Sequence, residues 1–134
     1  MNKPVVFKWI IEGNLMVTCS TAGEMVPERW REYINELRDK KITKVLGLNL
    51  GSVSLNSVQR REVGSLVQSQ GIVSAVVTDD RMIRGVVTAI SWFGGNVKAY
   101  SWDELKEAIK FLGVGPEERI VAIAHRLKRE CQTG

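Results

Sequence analysis

Hydroxyl and amide side chains gather directly after one strongly apolar segment. Val45–Leu50 leads into Gly51–Ser57, and helix-like sequence follows. In open α/β sheets, polar groups at the carboxyl end of a buried strand, next to a helix N-terminus, contact anions and partner molecules. We therefore expect a binding site in this segment. Its polar side chains are those of Ser52, Ser54, Asn56 and Ser57.

Two arginines lie just downstream. Arg60 and Arg61 fall in the first turns of the predicted helix Val58–Gln70, where guanidinium groups can pair with a phosphate or another anion at the helix N-terminus. A simpler interpretation is that Ser57 only caps the helix. Anion binding and capping both place Ser57 at the start of the helix, so the sequence does not distinguish between the two roles.

No catalytic or metal-binding motif accompanies this segment. His125 is the single histidine, and no carboxylate or nucleophile lies at an obvious catalytic spacing from it. Asp79 and Asp80 could ligate a divalent cation, but adjacent carboxylates point in different directions. Helix capping is enough to explain both residues. The Gly94-Gly95 pair indicates a helix stop rather than a phosphate-binding loop. We therefore expect a non-enzymatic protein without a cofactor or a metal.

The four tryptophans differ in their expected surroundings. Trp30 and Trp92 fall near the inward stripes of predicted helices, and Trp9 lies in a predicted edge strand. Trp102 opens a helix just after a strand ends, so we expect a partly covered indole that anchors a partner. The predicted partner-binding or anion-binding residues are Ser54, Asn56, Ser57, Arg60, Arg61 and Trp102.

Length and charge indicate one soluble domain. A chain of 134 residues forms a single core that buries roughly two-thirds of its unfolded surface. The net charge is +4, from 19 basic and 15 acidic residues, and the basic pairs lack interleaved aromatic residues. We therefore expect a solvated surface and no nucleic-acid partner. The absence of a signal peptide and of a run of ~20 apolar residues predicts a cytoplasmic protein without membrane insertion.

The two cysteines are far apart in the sequence. Cys19 lies in a predicted strand and Cys131 lies beside the C-terminus, without a metal-ligand neighbour at useful spacing. Free thiols are the expected state in the cytoplasm, and a disulfide is the less favoured alternative. Cys19 is therefore predicted to be a small core residue.

Strand and helix signals alternate along the chain. Pro4–Glu12 and Leu15–Thr21 predict an opening hairpin, because Gly13 and Asn14 between them tolerate positive φ. A helix begins at Pro27. The further predicted strands are Ile42–Leu50, Ile72–Val77 and Val97–Tyr100, and the further predicted helices are Val58–Gln70, Arg81–Phe93, Trp102–Leu112 and Pro116–Glu130.

Apolar residues at helical spacing predict which helix faces are buried. The inward residues are predicted to be the aromatic-rich stripe Trp30, Tyr33, Ile34 and Leu37 in the first helix, Val58, Val63, Leu66 and Val67 in the second, and Met82, Ile83, Val86, Ile90 and Phe93 in the third. Ser101 and Glu104 have the spacing of a capping box that opens the helix Trp102–Leu112.

The summed pattern predicts one α/β domain. A mostly parallel sheet of four or five strands, opened by the hairpin, is flanked by helices, with a core of about residues 5–112 and an extra C-terminal helix at 116–131. The apolar stripe of that last helix is expected to pack on its own domain, and a homodimer formed through this helix is the second alternative.

The order of elements and three local sequences resemble the STAS domain, the fold of the bacterial anti-sigma factor antagonists. The resemblance is closer to the small stand-alone STAS-like proteins and covers roughly Val5–Leu112. It rests on the hairpin, on Val45–Leu50 followed by Ser54–Ser57, and on Val97–Leu105, which is similar to the family's final strand and helix opening. It implies a STAS-like fold and a regulatory role in protein binding.

The resemblance also implies a modification site. In the antagonists, an Asp-Ser-Ser-Gly motif carries a serine that a partner kinase phosphorylates. Asn56 takes the place of the aspartate and Ser57 that of the phosphorylated serine, whereas Val58 and Gln59 replace the second serine and the glycine. A phosphate on Ser57 would add close to two negative charges to a docking surface.

Two functions stay open. The first is a regulatory module that docks a protein partner through the loop 51–57 and the helix 58–70, with phosphorylation as a modulator. The second is a protein that binds a small molecule or an anion at the strand ends near Ser54, Ser57, Asp79 and Ser101.

Overall fold

A five-stranded sheet organises the molecule. The computed structural model describes residues 3–92 and 96–133, with side chains up to residue 89 in the first segment. The strands of this sheet are β1 Phe7–Glu12, β2 Leu15–Ser20, β4 Lys44–Asn49, β6 Val73–Val77 and β7 Val97–Tyr100, and a two-stranded sheet consists of β3 Gly23–Glu24 and β5 Val53–Ser54.

The large sheet has the order β1-β2-β4-β6-β7. β1 and β2 are antiparallel, and every other neighbouring pair is parallel. Gly13 turns the hairpin with a φ of 60°. This arrangement confirms the predicted mostly parallel sheet opened by a hairpin.

Helices cover both faces of the sheet. The helices are α1 Pro27–Asp39, α2 Ser57–Gln70, α3 Arg81–Trp92, α4 Leu105–Leu112 and α5 Glu117–Thr133. α1, α2 and α3 each connect neighbouring parallel strands in the same direction, so right-handed crossovers place them on one face. α4 and α5 follow the last strand and cover the other face.

Each face has its own apolar core. The core under α1 and α2 contains the aromatic stripe predicted for α1, in which Trp30 and Tyr33 are buried. Tyr33 contacts Phe7 and Trp30, and burial raises the pKa of its hydroxyl to about 12. The core under α4 and α5 includes the fully buried residues Leu15, Val17, Leu46, Leu48, Val77, Ile109, Leu112 and Leu127.

α5 packs on its own domain. Ile120, Ala124, Leu127 and Cys131 form its buried stripe against the sheet. The prediction of internal packing is confirmed. The stripe that the alternative assigned to a second subunit is therefore covered within the chain.

Two helices bury different residues from those predicted. Val58 of α2 is 56% exposed, because the first turn of α2 directs Gln59 inward instead. In α3, Met82 is 81% and Val86 58% exposed, whereas Val87 is buried. Apolar residues occupy more than one side of α3, and only one side meets the sheet. The predicted inward positions of Val58, Met82 and Val86 are therefore wrong.

Several predictions fall on residues that lie outside those described. They concern Phe93, Gly94, Gly95 and the side chains of Ile90 and Trp92.

Candidate functional site

The loop after β4 is held in place by the small sheet that the sequence analysis did not predict. β5 lies within this loop and pairs in parallel with β3. The backbone N–H of Gly23 donates to Ser52 O at 3.0 Å, and that of Met25 donates to Ser54 O at 3.2 Å. Gly51 packs so closely against Ala22 that a Cβ on Gly51 would lie 2.7 Å from the Ala22 Cβ. The loop therefore has a defined backbone conformation.

The hydroxyls of this loop face solvent. Ser52, Ser54 and Ser57 are all exposed. Ser54 lies on the second strand of the small sheet, and Ser57 is the first residue of α2. The structure thus places these side chains uncovered, beyond the carboxyl end of β4.

Asn56, and not Ser57, caps α2. The Asn56 Oδ1 accepts from the Gln59 N–H at 2.8 Å, and the Gln59 Oε1 accepts from the Asn56 N–H at 3.0 Å. This reciprocal pair satisfies two amide groups at the helix start. The interpretation of Ser57 as the cap is therefore wrong, and the Ser57 hydroxyl is not needed for capping.

The two arginines fold back towards the loop. Arg60 Nη1 donates to Leu55 O at 3.0 Å, and Arg61 Nε donates to Ser57 O at 3.4 Å. Both residues are exposed. Their guanidinium groups therefore place positive charge at the backbone of the two residues that flank Asn56.

Trp102 lies at the same edge of the large sheet but in a different recess. Its Nε1 donates to Asn49 O at 3.3 Å, and the Lys128 Nζ lies 4.3 Å from the centre of its ring. The indole is half-buried, as the sequence predicted. α5 therefore supplies the cation that covers one face of Trp102.

Three cavities surround the strand ends. One of about 330 Å³ is lined by Asn56 and Ser54, and one of about 520 Å³ by Ser54 and Arg60. Trp102 and Lys128 line the third, of about 350 Å³. The predicted site residues are thus divided between the loop and the recess at Trp102.

A polar network at the strand ends was missed by the sequence analysis. Asn49, at the end of β4, donates from Nδ2 to Gly51 O at 2.7 Å and accepts at Oδ1 from Thr78 Oγ1 at 2.9 Å. Thr78 is buried and follows β6. The sequence did contain a signal for this network, which is the asparagine at the end of an apolar strand. This network connects the loop after β4 with the start of α3.

The two aspartates after β6 act as hydrogen-bond acceptors for backbone N–H groups. Asp80 Oδ1 accepts from the N–H groups of Met82 and Ile83, at 2.9 and 3.3 Å, which confirms its predicted capping role. Asp79 Oδ1 accepts from Trp102 N–H at 3.2 Å. Among residues 3–92 and 96–133, no cluster of side chains suits a metal ion.

The remaining predicted features have ordinary surroundings. His125 is exposed on α5. Ser101 and Glu104 form the predicted capping box, in which Glu104 Oε1 accepts from Ser101 N–H at 3.0 Å. Cys19 is a core residue with a free thiol.

Neither a protein-family model nor a curated protein matches this sequence. Within the part of the chain that the structure describes, no helix combines the length and the apolar character needed to cross a bilayer.

Proposed function

We propose that this protein is a non-enzymatic regulatory module of STAS type, which docks a protein partner through the loop 51–57 and helix α2. The observation that carries the proposal is the exposed surface formed by Ser54, Ser57 and Val58. Protein interfaces combine an apolar centre with a polar rim, and this surface offers both. We call it the loop surface.

The charge beside the loop surface indicates the chemistry of the partner. Arg60 lies in the first turn of α2, with Arg61 next to it. This first turn contains no acidic residue. Complementary charges favour encounter and orientation of protein partners. We therefore propose a partner that surrounds an apolar contact with acidic side chains.

Phosphorylation of Ser57 is the proposed modulator. The Ser57 hydroxyl is exposed and is not the helix cap, so a kinase can reach it without displacing the Asn56–Gln59 pair. A phosphate would add almost two negative charges beside Arg60 and Arg61. It would neutralise the basic rim and weaken binding of an acidic partner. A cytoplasmic location belongs to the same proposal.

Affinity capture with matched variants tests this function. The wild-type chain, Ser57→Asp and the control Ser65→Asp, an exposed serine of the same helix, are used to capture proteins from a native extract. The captured protein is then purified and titrated against each variant. We expect roughly tenfold weaker binding for Ser57→Asp and unchanged binding for Ser65→Asp. Equal affinities of the two variants would reject the loop surface as the docking site.

A second function is favoured by the recess at Trp102. Its aromatic ring, the Lys128 ammonium and the exposed Asp79 carboxylate line one cavity at the strand ends. Pockets with a few convergent polar groups bind small ligands. If the extract yields no partner and phosphate-type ligands raise the melting temperature of the wild type but not of Lys128→Ala, binding of a small anion is the better assignment.

A further inference from the structure

The two cysteines meet in the core between β2 and the last turn of α5. Cys131 Sγ donates to Cys19 O at 3.3 Å and also lies 3.5 Å from Val6 O. Burial raises the pKa of the Cys19 thiol, and the Cys131 thiol is close enough to raise it further. Cys19 is fully buried, and Cys131 is 2% exposed. Two residues far apart in the sequence thus place the Cys131 sulfur against the backbone of Cys19 in the core.

We propose that Cys19 and Cys131 form a reversible disulfide that fastens the last turn of α5 to β2. Cys131 Sγ already lies against the Cys19 backbone, so bond formation requires rotation about the two Cα–Cβ bonds that turns the sulfur atoms towards each other. The surrounding cluster includes Val17, Ala124 and Leu127. The buried residues of this cluster are uncharged, so formation of the disulfide does not displace a buried charge.

Access to the thiols depends on α5. Burial raises the pKa of both thiols, so they are unreactive while the helix is docked. Cys131 is close to the end of α5, which stops at Thr133. Terminal turns of helices open at low free-energy cost, and such an opening exposes Cys131 to solvent.

The oxidant is a low-molecular-weight disulfide such as oxidised glutathione. In the open turn, Cys131 loses its proton to water, and its thiolate attacks one sulfur of the oxidant. A mixed disulfide forms and one small thiolate leaves. The Cys19 thiol then loses its proton, and its thiolate attacks the Cys131 sulfur, which releases the second small thiolate. The protein gives up two electrons and two protons, and the oxidant becomes two thiols.

The disulfide constrains more than the two cysteines. It closes a loop that contains most of the chain, and this restriction lowers the entropy of the unfolded state. Lys128, one turn before Cys131 on α5, covers Trp102. The oxidised protein therefore holds this cation firmly over the recess at the strand ends. The loop surface takes no part in the reaction, so the proposed docking function and the disulfide can fail independently.

The test uses the reduced chain of 134 residues, incubated with oxidised glutathione without denaturant. We expect the intact mass to fall by two hydrogen atoms and a peptide map to contain a peptide that links Cys19 to Cys131. The melting temperature should rise by about 10 °C and return after reduction. Cys131→Ala should show neither change, and Cys19→Ala should keep a glutathione adduct on Cys131.

Three results would overturn the proposal. They are an unchanged mass of the folded wild type, formation of linked dimers only, and an internal link that appears only in denaturant. The wild-type experiment decides between these results and the expected one even if a cysteine variant does not fold.

Discussion

Asn56 and Gln59 stabilise the start of α2 by exchanging hydrogen bonds, which leaves the neighbouring Ser57 hydroxyl free for another role. The side chain of each residue accepts from the backbone N–H of the other. Gln59 is consequently buried although it is polar. This pairing separates the residue that stabilises the helix from the residue that we propose to be modified.

Replacing Asn56 by alanine tests that separation. We expect Asn56→Ala to lower the free energy of unfolding by about 1 kcal/mol, because one helix N–H loses its acceptor. Ser57→Ala should leave the stability almost unchanged. Urea unfolding of both variants measures the difference. If Ser57→Ala lowers the free energy of unfolding more than Asn56→Ala does, the assignment of Asn56 as the cap is contradicted.

Glu104 connects the stability of the start of α4 to pH. The backbone N–H of Ser101, and then its hydroxyl, donate to the carboxylate and lower the pKa of Glu104. A lowered pKa in the folded state means that this stabilisation is present above the unfolded pKa and is lost as the pH falls through the folded pKa.

Glu104→Gln should therefore reduce the loss of stability in acid, because an amide oxygen accepts the same bonds without titrating. Urea midpoints of the wild type and the variant, compared across the acidic range, measure this effect. If the urea midpoints of the two proteins fall in parallel as the pH decreases, Glu104 does not contribute to the pH dependence of stability.

Helices α3 and α5 both carry apolar side chains, but the fold uses these side chains differently. α5 buries four side chains against the sheet, whereas α3 leaves Met82 and Val86 exposed next to the basic first turn. Met82 and Val86 therefore form an exposed apolar patch on α3, of the kind that can contact another molecule.

A pair of alanine substitutions distinguishes the two helices. Leu127→Ala should lower the free energy of unfolding by about 3 kcal/mol, because it leaves a cavity under α5. Met82→Ala removes a side chain that is 81% exposed, and it should change stability by less than about 0.5 kcal/mol. Chemical denaturation measures both. Similar losses in the two variants would mean that α3 is packed as tightly as α5.

The sheet separates two cores that share the same strands but not the same helices. Ile34 belongs to the core under α1 and α2, and Ile109 belongs to the core under α4 and α5. Residues without common neighbours contribute independently to stability. We therefore expect the two cores to respond separately to substitution.

The double variant Ile34→Val with Ile109→Val tests this independence. Each single substitution should cost about 1 kcal/mol, and the double variant should lose the sum to within about 0.5 kcal/mol. Equilibrium unfolding in urea is the measurement. A clear departure from the sum would reveal coupling through the sheet.

The alternation of strand and helix signals was enough to predict the α/β class, the hairpin and the five principal strands, because hydrophobic periodicity is a local property. The capping groups Asp80 and Ser101-Glu104 were also predicted, since capping acts within one turn. The interpretation of Ser57 as the cap of α2 is wrong, because Asn56 and Ser57 are both suitable residues and only the backbone conformation distinguishes them.

Tertiary packing decided what local patterns could not. The burial of Val58, Met82 and Val86 was predicted wrongly, because periodicity identifies an apolar side of a helix but not where the sheet ends beneath it. The β3–β5 pair, the Asn49–Thr78 hydrogen bond and the contact of Cys19 with Cys131 join residues distant in the sequence. Such contacts depend on how strands are ordered and helices docked, so they appear only when the chain is folded.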